Sequence, residues 1–274
     1  MFNKVIIIGT GLIGGSLGIA LKKKRLAETI YGFSLHRKNT KLAKKIGAID
    51  RIAEDLEVVG GDDLVILATP IDSIISIALK IKNKLNKDCI VIDVGSTKDE
   101  IVSKLNSALV NFVGCHPLAG SEKKGITNLD GNIFNGSICI ITPTAQTNKE
   151  ALNKIRTLWK RLGAEVIVIS PKKHDRVLAY TSHLPHVIAF SLIRSIPDRF
   201  LKLSSRGLRD ATRISSSDPQ LWSQIFLSNR NNLLSAILSF QKKINALKLA
   251  LKNKNKPLLI EILKTGNKKR ERLG

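Results

Sequence analysis

The most constraining feature of this sequence is a glycine-rich turn that joins an apolar run to a helical segment. Val5–Ile8 is followed by Gly9, Gly11 and Gly14, in the spacing G-x-G-x-x-G. Here the first glycine permits a tight turn, the second lets the backbone approach a diphosphate, and the third lets the helix pack on the strand. A bare glycine turn without a ligand is the alternative. The pattern predicts a dinucleotide site formed by Gly9, Thr10, Gly11, Leu12, Ile13 and Gly14.

The first 170 residues alternate short apolar runs with helix-length segments. Continuous apolar runs without polar alternation are typical of strands that are covered on both faces, as in a parallel sheet. The predicted strands are Val5–Ile8, Thr29–Phe33, Leu64–Ala68, Cys89–Val94, Phe112–Cys115, Ser137–Ile141 and Glu165–Ile169. Predicted helices between them include Ile13–Lys24, Ser73–Leu85 and Lys149–Leu162. This alternation predicts a Rossmann-type doubly wound sheet.

Beyond Ser170 the pattern changes, because no further strand run follows. Helices are predicted over Lys172–Ser195, Pro219–Lys252 and Lys256–Lys264, followed by a frayed basic tail. We therefore expect an α/β fold with two domains. Residues 1–170 form the nucleotide-binding domain and residues 171–274 form an all-α domain for substrate binding and dimerisation, since helices that are apolar on more than one face need partners.

Charge and composition exclude several classes of protein. Lys and Arg number 45 against 22 acidic residues, a net charge of +23, but aromatic residues are only 4% and no nucleic-acid-binding signature is present. We therefore expect a lysine-rich surface that attracts small anions rather than nucleic acid. The apolar stretches are too short for a signal peptide or a membrane helix. With three scattered cysteines and no CxxC pair, the sequence indicates a cytoplasmic protein with reduced thiols.

The choice of cofactor depends on the end of the second predicted strand. Enzymes that use NAD usually place a carboxylate there, which bonds the ribose 2′-hydroxyl. This chain has Ser34, followed by His36, Arg37 and Lys38. A hydroxyl and cations suit a 2′-phosphate, so the sequence favours NADP over NAD; the alternative is that the cations only begin an exposed helix. Thr69 and Pro70 follow the third predicted strand at the same edge and are further cofactor candidates.

Two histidine contexts are candidates for chemistry. His116 ends a predicted strand, at the edge that carries the glycine turn, where it could be a general base or a buried structural residue. Ser96 follows the neighbouring strand at that edge. His183 and His186 are spaced to share one face of a helix bent by Pro185, which suggests a polar pair facing substrate or a packing role. No third ligand follows at a suitable spacing, so no metal site is expected.

An arginine completes the set of candidates. Arg213 precedes the hydroxyl run Ser215–Ser217 and a helix start at Asp218-Pro219. A guanidinium suits bidentate binding of a carboxylate, although Arg209 and Arg213 could also be surface charges. These features together predict a small anionic substrate.

The segments together resemble the prephenate/arogenate dehydrogenase family of tyrosine biosynthesis. The resemblance covers nearly the whole chain and rests on motifs in a specific order: GxGLIGGS from Gly9, VGSTK from Val94, GCHPLAG from Gly114, SHLPH from Ser182, RDATR from Arg209, and Trp222. It implies a Rossmann domain, a helical dimerisation domain that forms a homodimer, and an active site in the cleft between them.

The resemblance also implies roles for single residues. His116 would bond the ring hydroxyl and take its proton, Ser96 would bond the same hydroxyl and help orient His116, and Arg213 would hold the ring carboxylate. His186 and Ser182 would line the pocket. Glu122 and Asp210 would join a gating ionic network with Arg213.

The implied reaction is oxidative decarboxylation of arogenate to tyrosine with hydride transfer to NADP. Many family members carry an acid where this chain has Ser34, and NADP use often accompanies arogenate preference in the family. Conversion of prephenate to 4-hydroxyphenylpyruvate with NAD or NADP is the alternative. A β-hydroxyacid dehydrogenase or imine reductase would instead carry its catalytic Lys or Asp on the helical domain. A basic nucleic-acid-binding protein or a redox-sensing scaffold would leave His116, His186 and Arg213 unexplained.

Overall fold

An eight-stranded sheet organises the amino-terminal part of the computed structural model, which describes residues 2–61, 63–119 and 129–273. The spatial order of the strands is β3-β2-β1-β4-β5-β6-β7-β8. All neighbouring strands are parallel except β6 and β7. The strands are β1 Phe2–Ile8, β2 Ala27–Phe33, β3 Arg51–Ile52, β4 Leu64–Leu67, β5 Ile90–Asp93, β6 Phe112–Pro117, β7 Ile138–Ile141 and β8 Glu165–Val168. This arrangement confirms the Rossmann-type fold class.

Both faces of the central strands β4, β5 and β6 are buried, as their continuous apolar runs predict. Ile7 and Ile66 face one hydrophobic cluster, whereas Ile6 and Val65 face the other. The alternation follows from the pleat, which sends successive side chains to opposite faces. Helices α1 Leu12–Lys23, α2 Arg37–Lys45, α3 Ile71–Ile81, α4 Asp99–Asn106 and α5 Lys149–Arg161 connect the strands.

The carboxyl-terminal part is helical, also as predicted. It contains α6 Pro171–Leu178, a π-helical turn Ala179–His183, α7 Leu184–Ser195, a 3-10 segment Asp198–Leu203, α8 Arg206–Thr212, a 3-10 turn Arg213–Ser216, α9 Pro219–Ser228, α10 Arg230–Lys252 and α11 Lys256–Glu271. No described helix is long and apolar enough to cross a bilayer.

Four details differ from the sequence predictions. Strand β3 has only two residues, too few to form an apolar run. The helix predicted from Lys172 to Ser195 contains the π-helical turn, because Pro185 has no N–H for the regular bond. The helix predicted over 219–252 is interrupted at Asn229. The tail predicted to fray is helical up to Glu271.

The chain divides into two compact units, Met1–Asn229 and Arg230–Gly274. Helices α6 to α9 therefore belong to the unit that contains the sheet. The second unit consists of α10 and α11, which pack on each other. The domain boundary predicted at residue 170 marks where strands give way to helices. Because this criterion differs from the division into compact units, the boundary stays a prediction.

Candidate active site

The glycine turn has the geometry that its spacing predicts. Gly9 adopts φ +102°, and a Cβ there would lie 2.4 Å from the carbonyl oxygen of Ala68. A Cβ on Gly14 would lie 2.0 Å from the carbonyl oxygen of Gly9. Both glycines are therefore required for β1, β4 and α1 to approach one another.

The start of α1 suits a diphosphate. Gly11 caps the helix without a side-chain hydrogen bond, and the first turn, which includes Leu12 and Ile13, carries no acid. No described atom lies within 4 Å of a Cβ built on Gly11. First-turn N–H groups have no partner within a helix, so donors and open space coincide here, and a dinucleotide fits.

Two buried hydroxyl groups adjoin this turn. The Oγ1 atoms of Thr10 and Thr69 are buried and have no hydrogen-bond partner among the described residues. Thr69 lies beside Gly9, where a Cβ would be 2.9 Å from the Thr69 nitrogen, and exposed Pro70 then caps α3. Buried polar groups are normally paired, so an unpaired hydroxyl at this edge is consistent with a bound cofactor.

The residues predicted to choose the cofactor lie after β2. Ser34 Oγ accepts a hydrogen bond of 3.2 Å from the His36 backbone N–H. Arg37 begins α2 and forms an ion pair of 2.6 Å with Glu54, and both side chains are largely exposed. The predicted phosphate-binding arginine therefore already has an acidic neighbour, which sequence reasoning missed.

His116 lies on β6, at the carboxyl edge of the sheet, and its side chain is 9% exposed. Its Nδ1 is 2.9 Å from Nε2 of His174 on α6. His174 Nδ1 is in turn 2.7 Å from Oδ1 of Asp175. A chain of three side chains therefore leads from the sheet edge into the first helix after the sheet.

Backbone groups fix the far end of this chain. Asp175 Oδ1 accepts from the Lys98 N–H at 2.8 Å, and Oδ2 accepts from the Asp99 N–H at 2.9 Å. The Asn229 side chain donates to the Asp175 carbonyl at 2.7 Å. These contacts join the start of α4, α6 and the end of α9 behind His116.

Burial and nearby cations set the charge of His116. Burial lowers its pKa well below the usual value of 6.5, and His174 and Lys98 lower this pKa further. Lys98 is itself fully buried and paired with Asp93, whose pKa is raised by burial against the opposing effect of Lys98. His116 is therefore neutral near pH 7, the form that a general base requires.

Ser96 follows β5, the strand that pairs in parallel with β6. It is half-buried and comes directly after Gly95, whose N–H donates to Asp93 Oδ2 at 2.8 Å. Ser96 and His116 therefore lie at the carboxyl ends of adjacent parallel strands, the ligand-binding edge of such sheets.

His183 and His186 lie in two different environments. His186 Nδ1–H donates to the Ser182 carbonyl at 2.9 Å, and the His186 ring stacks on Trp222 with centroids 3.4 Å apart. His186 and Ser182 are half-buried. His183 is buried, with Nδ1 3.1 Å from the Asn229 amide nitrogen. Burial lowers the pKa of His183 to about 4, and of the two histidines His186 is the more exposed.

The arginine segment lies against the same helices. Arg213 is exposed and begins a 3-10 turn that packs on α7, the helix of His186. Asp210 forms an exposed ion pair of 3.6 Å with Arg206. Glu122 lies outside the described residues. The predicted gating network and the crevice shared by His116 and Arg213 stay predictions.

Sequence reasoning missed His174, Asp175 and Asn229. His174 and Asp175 are separated from His116 by more than fifty positions and belong to no short motif. The adjacent pair His174-Asp175, placed where the last strand gives way to helix, was the only available signal.

Comparisons with known proteins match this chain along most of its length. Residues 17–168 match the family described as "Prephenate dehydrogenase, nucleotide-binding domain", and residues 170–265 match "Prephenate dehydrogenase, dimerization domain". A cyclohexadienyl dehydrogenase from Zymomonas mobilis is 33% identical over 98% of this chain and 96% of its own length.

Solved structures agree with these sequence matches. Prephenate dehydrogenase from Aquifex aeolicus, in complex with hydroxyphenyl propionate and NAD+, has a TM-score of 0.95 and 34% identity, covering 100% of this chain and 99% of its own. Arogenate dehydrogenase from Synechocystis has a TM-score of 0.86 and 28% identity, covering 99% and 100%. With the glycine turn and the buried neutral histidine, these matches show that the chain is an NAD(P)-dependent oxidoreductase that belongs to the prephenate dehydrogenase family.

Proposed function

We propose that this protein catalyses the oxidative decarboxylation of arogenate to tyrosine, with hydride transfer to NADP. One observation carries the proposal: a buried, neutral imidazole, His116, lies at the sheet edge that also holds the glycine turn. A dehydrogenase of this kind needs a base beside the nicotinamide, and the position and neutral form of His116 support that role.

The chemistry assigns a task to each group. The substrate is a cyclohexadienol whose ring carboxylate is para to the hydroxyl. A dinucleotide held through its diphosphate at the glycine turn would supply the acceptor for the hydride that leaves the hydroxyl-bearing carbon. His116 takes the hydroxyl proton, and Ser96 bonds the same oxygen and holds it toward the imidazole. Loss of carbon dioxide then gives an aromatic phenolate, which takes the proton back from His116. The protein therefore mainly has to position the groups and hold one proton in transit.

Arg213 binds the ring carboxylate in this proposal, because a guanidinium can bind it through two hydrogen bonds. Its turn packs on α7, which also carries His186, and Ser182 lies one turn before His186. These three residues form the substrate pocket. Asp210 is assigned to a gating ionic network with Arg213.

The preference for NADP rests on Ser34 and Arg37. A serine after β2 does not repel a 2′-phosphate, and Arg37 begins the adjacent helix. The ion pair with Glu54 opposes this preference, since Arg37 must turn from the carboxylate to the phosphate. We therefore propose that kcat/KM is higher with NADP than with NAD, by a modest ratio.

Prephenate with NAD or NADP is the second candidate reaction. The similar proteins carry the names prephenate, cyclohexadienyl and arogenate dehydrogenase, and the Aquifex structure holds NAD+. The two substrates differ in a keto group and an amino group on the side chain. Arogenate is proposed as the preferred substrate because NADP is the proposed cofactor.

A homodimer through the helical domain completes the proposal. Helices α10 and α11 expose many large apolar side chains, and large exposed apolar areas often mark interfaces between proteins. They are Leu234, Leu238, Ile244, Leu249, Leu251, Leu258, Ile260 and Leu263. The description of the matching family as a dimerization domain supports this assignment.

Initial rates with prephenate or arogenate, each with NAD or NADP, test the proposal. We expect the highest kcat/KM for arogenate with NADP. A higher value for prephenate would replace the first candidate by the second. Turnover only with a β-hydroxyacid or an imine, included as parallel assays, would refute both.

A further inference from the structure

A hydrogen-bond chain determines which nitrogen of His116 carries the proton. Asp175 accepts a backbone N–H at each carboxylate oxygen, from Lys98 and Asp99, so its role in the chain is that of an acceptor. His174 Nδ1, 2.7 Å from Oδ1, must therefore carry hydrogen and donate. A neutral imidazole with a protonated Nδ1 has a lone pair on Nε2.

The same argument applies to the imidazole ring of His116. His174 Nε2 is an acceptor, and its neighbour at 2.9 Å is His116 Nδ1. His116 must then carry hydrogen on Nδ1 and keep the lone pair on Nε2. The two rings are edge-to-face, with centroids 5.1 Å apart, so the contact is a hydrogen bond rather than a stack.

We propose that His174, fixed by Asp175, is a positioning residue that holds His116 in the Nδ1–H tautomer, with Nε2 free to accept the substrate proton. This inference rests on the proposed function for the identity of the proton donor. It goes beyond that function because it assigns a role to His174 and Asp175, which are not among the proposed substrate- or cofactor-binding residues. The wrong tautomer would present an N–H where the reaction needs a lone pair.

The surroundings of His174 and Asp175 support a positioning role and not packing alone. His174 is fully buried, and its pKa is lowered by burial against the opposing effect of Asp175, so the ring is held neutral. Asp175 is 3% exposed and bound by groups from α4 and by Asn229. A purely structural residue at this place would need no acceptor aimed at the reactive imidazole.

The direct test is a ¹⁵N spectrum of histidine-labelled protein near pH 7.5, without substrate. The chain has only five histidines, and His116→Asn and His174→Leu identify two of them by loss of signal. We expect both rings to be protonated at Nδ1 and unprotonated at Nε2. In His174→Leu, His116 should shift toward the Nε2–H form. Wild-type His116 protonated at Nε2 would overturn the proposal.

The functional test is a double-mutant cycle with His116→Asn. We expect His174→Leu to lower kcat about 100-fold with little change in KM, within the range for loss of a general base. His174→Gln, whose amide oxygen can still accept from Nδ1–H, should recover most of this loss. In the His116→Asn background, His174→Leu should cost almost nothing more, because His174 acts through His116.

Leu178→Ala, another buried residue of α6, is the packing control. It should lower the melting temperature and leave the histidine tautomers unchanged. An equal kcat loss from His174→Leu in both backgrounds would mean a structural role and would overturn the proposal. The spectrum needs no substrate, so an enzyme that acts on another compound would refute the proposed function without changing the tautomer result.

Discussion

The glycine turn and the catalytic network are built in opposite ways. The turn takes all its groups from one β–α unit, residues 9 to 14. A Cβ on Gly9 would meet Ala68, just after β4, and a Cβ on Gly14 would meet the turn itself, whereas a Cβ on Gly11 would meet no described atom. The network takes His116 from β6, His174 and Asp175 from α6, and backbone N–H groups from the start of α4. The glycine turn is therefore predictable from local sequence spacing, whereas the catalytic network forms only when distant segments of the chain come together in the fold.

The largest expected effect comes from removing the base. His116→Asn should bind dinucleotide normally and lose about 10²–10⁴ in kcat, which corresponds to about 3–5 kcal/mol of transition-state stabilisation. Steady-state rates and a fluorescence titration with the reduced cofactor measure the two quantities separately. A variant that keeps its kcat would remove His116 from the chemistry, and the network would then be structural.

Two substitutions within the turn separate folding from binding. Gly14→Ala places a Cβ 2.0 Å from the Gly9 carbonyl oxygen, so urea unfolding should show a loss of about 3 kcal/mol. Gly11→Ala meets no described atom within 4 Å at an allowed φ of −73°, so stability should hold or rise slightly. Its methyl group should instead weaken dinucleotide binding.

Equal stability losses at Gly11 and Gly14 would contradict this division. Gly11 would then serve the fold, and the open space above it would not be the diphosphate site. Unchanged dinucleotide affinity in Gly11→Ala would point to the same conclusion.

The fold was predictable because its determinants are local. Seven of the eight strands correspond to apolar runs, since a strand covered on both faces must be apolar throughout. Strand β3 was missed because two residues, Arg51 and Ile52, carry no pattern. The antiparallel pairing of β6 with β7 was also beyond prediction, because strand direction depends on the path of the intervening chain.

The site was predictable only in part. His116 and Ser96 stand out because each ends or follows a strand at the same edge. His174 was missed because its partner, His116, lies on another element and no sequence spacing connects them. The ion pair of Arg37 with Glu54 was missed for the same reason.

Arg213 tests whether the 3-10 turn Arg213–Ser216 binds substrate. Arg213→Ala should raise KM about 10–100-fold with kcat largely kept, as expected for loss of a charged hydrogen bond worth about 1.5–3 kcal/mol. Arg209→Ala is the matched control, because Arg209 is exposed on the preceding helix and is not assigned to the pocket. If the two variants gave the same KM as the wild type, Arg213 would not contact substrate.

His183 contacts Asn229, which bonds Asp175 of the network, and it should make stability depend on pH. Its pKa is about 4 in the folded protein against 6.5 in the unfolded chain, because burial disfavours the charged ring. Between these values the unfolded chain binds more protons, so stability is lost as pH falls below 6.5. The contribution of His183 is about 2 kcal/mol between pH 7 and pH 5.

Urea unfolding at both pH values measures this loss. His183→Asn should reduce the difference between pH 7 and pH 5, whatever its effect on stability at pH 7. A pH dependence that His183→Asn did not reduce would show that the ring is solvated rather than buried.

The smallest effects concern the choice of cofactor, where a local motif meets a long-range contact. Ser34→Asp places a carboxylate after β2 and should lower the kcat/KM ratio of NADP to NAD about tenfold, or about 1.4 kcal/mol. Glu54→Gln removes the partner of Arg37 and should raise the same ratio about two- to threefold, since exposed ion pairs contribute at most about 1 kcal/mol. Opposite signs are the essential result. If Glu54→Gln left the ratio unchanged while Ser34→Asp lowered it, cofactor choice would depend on the local motif alone and Arg37 would not bind the 2′-phosphate.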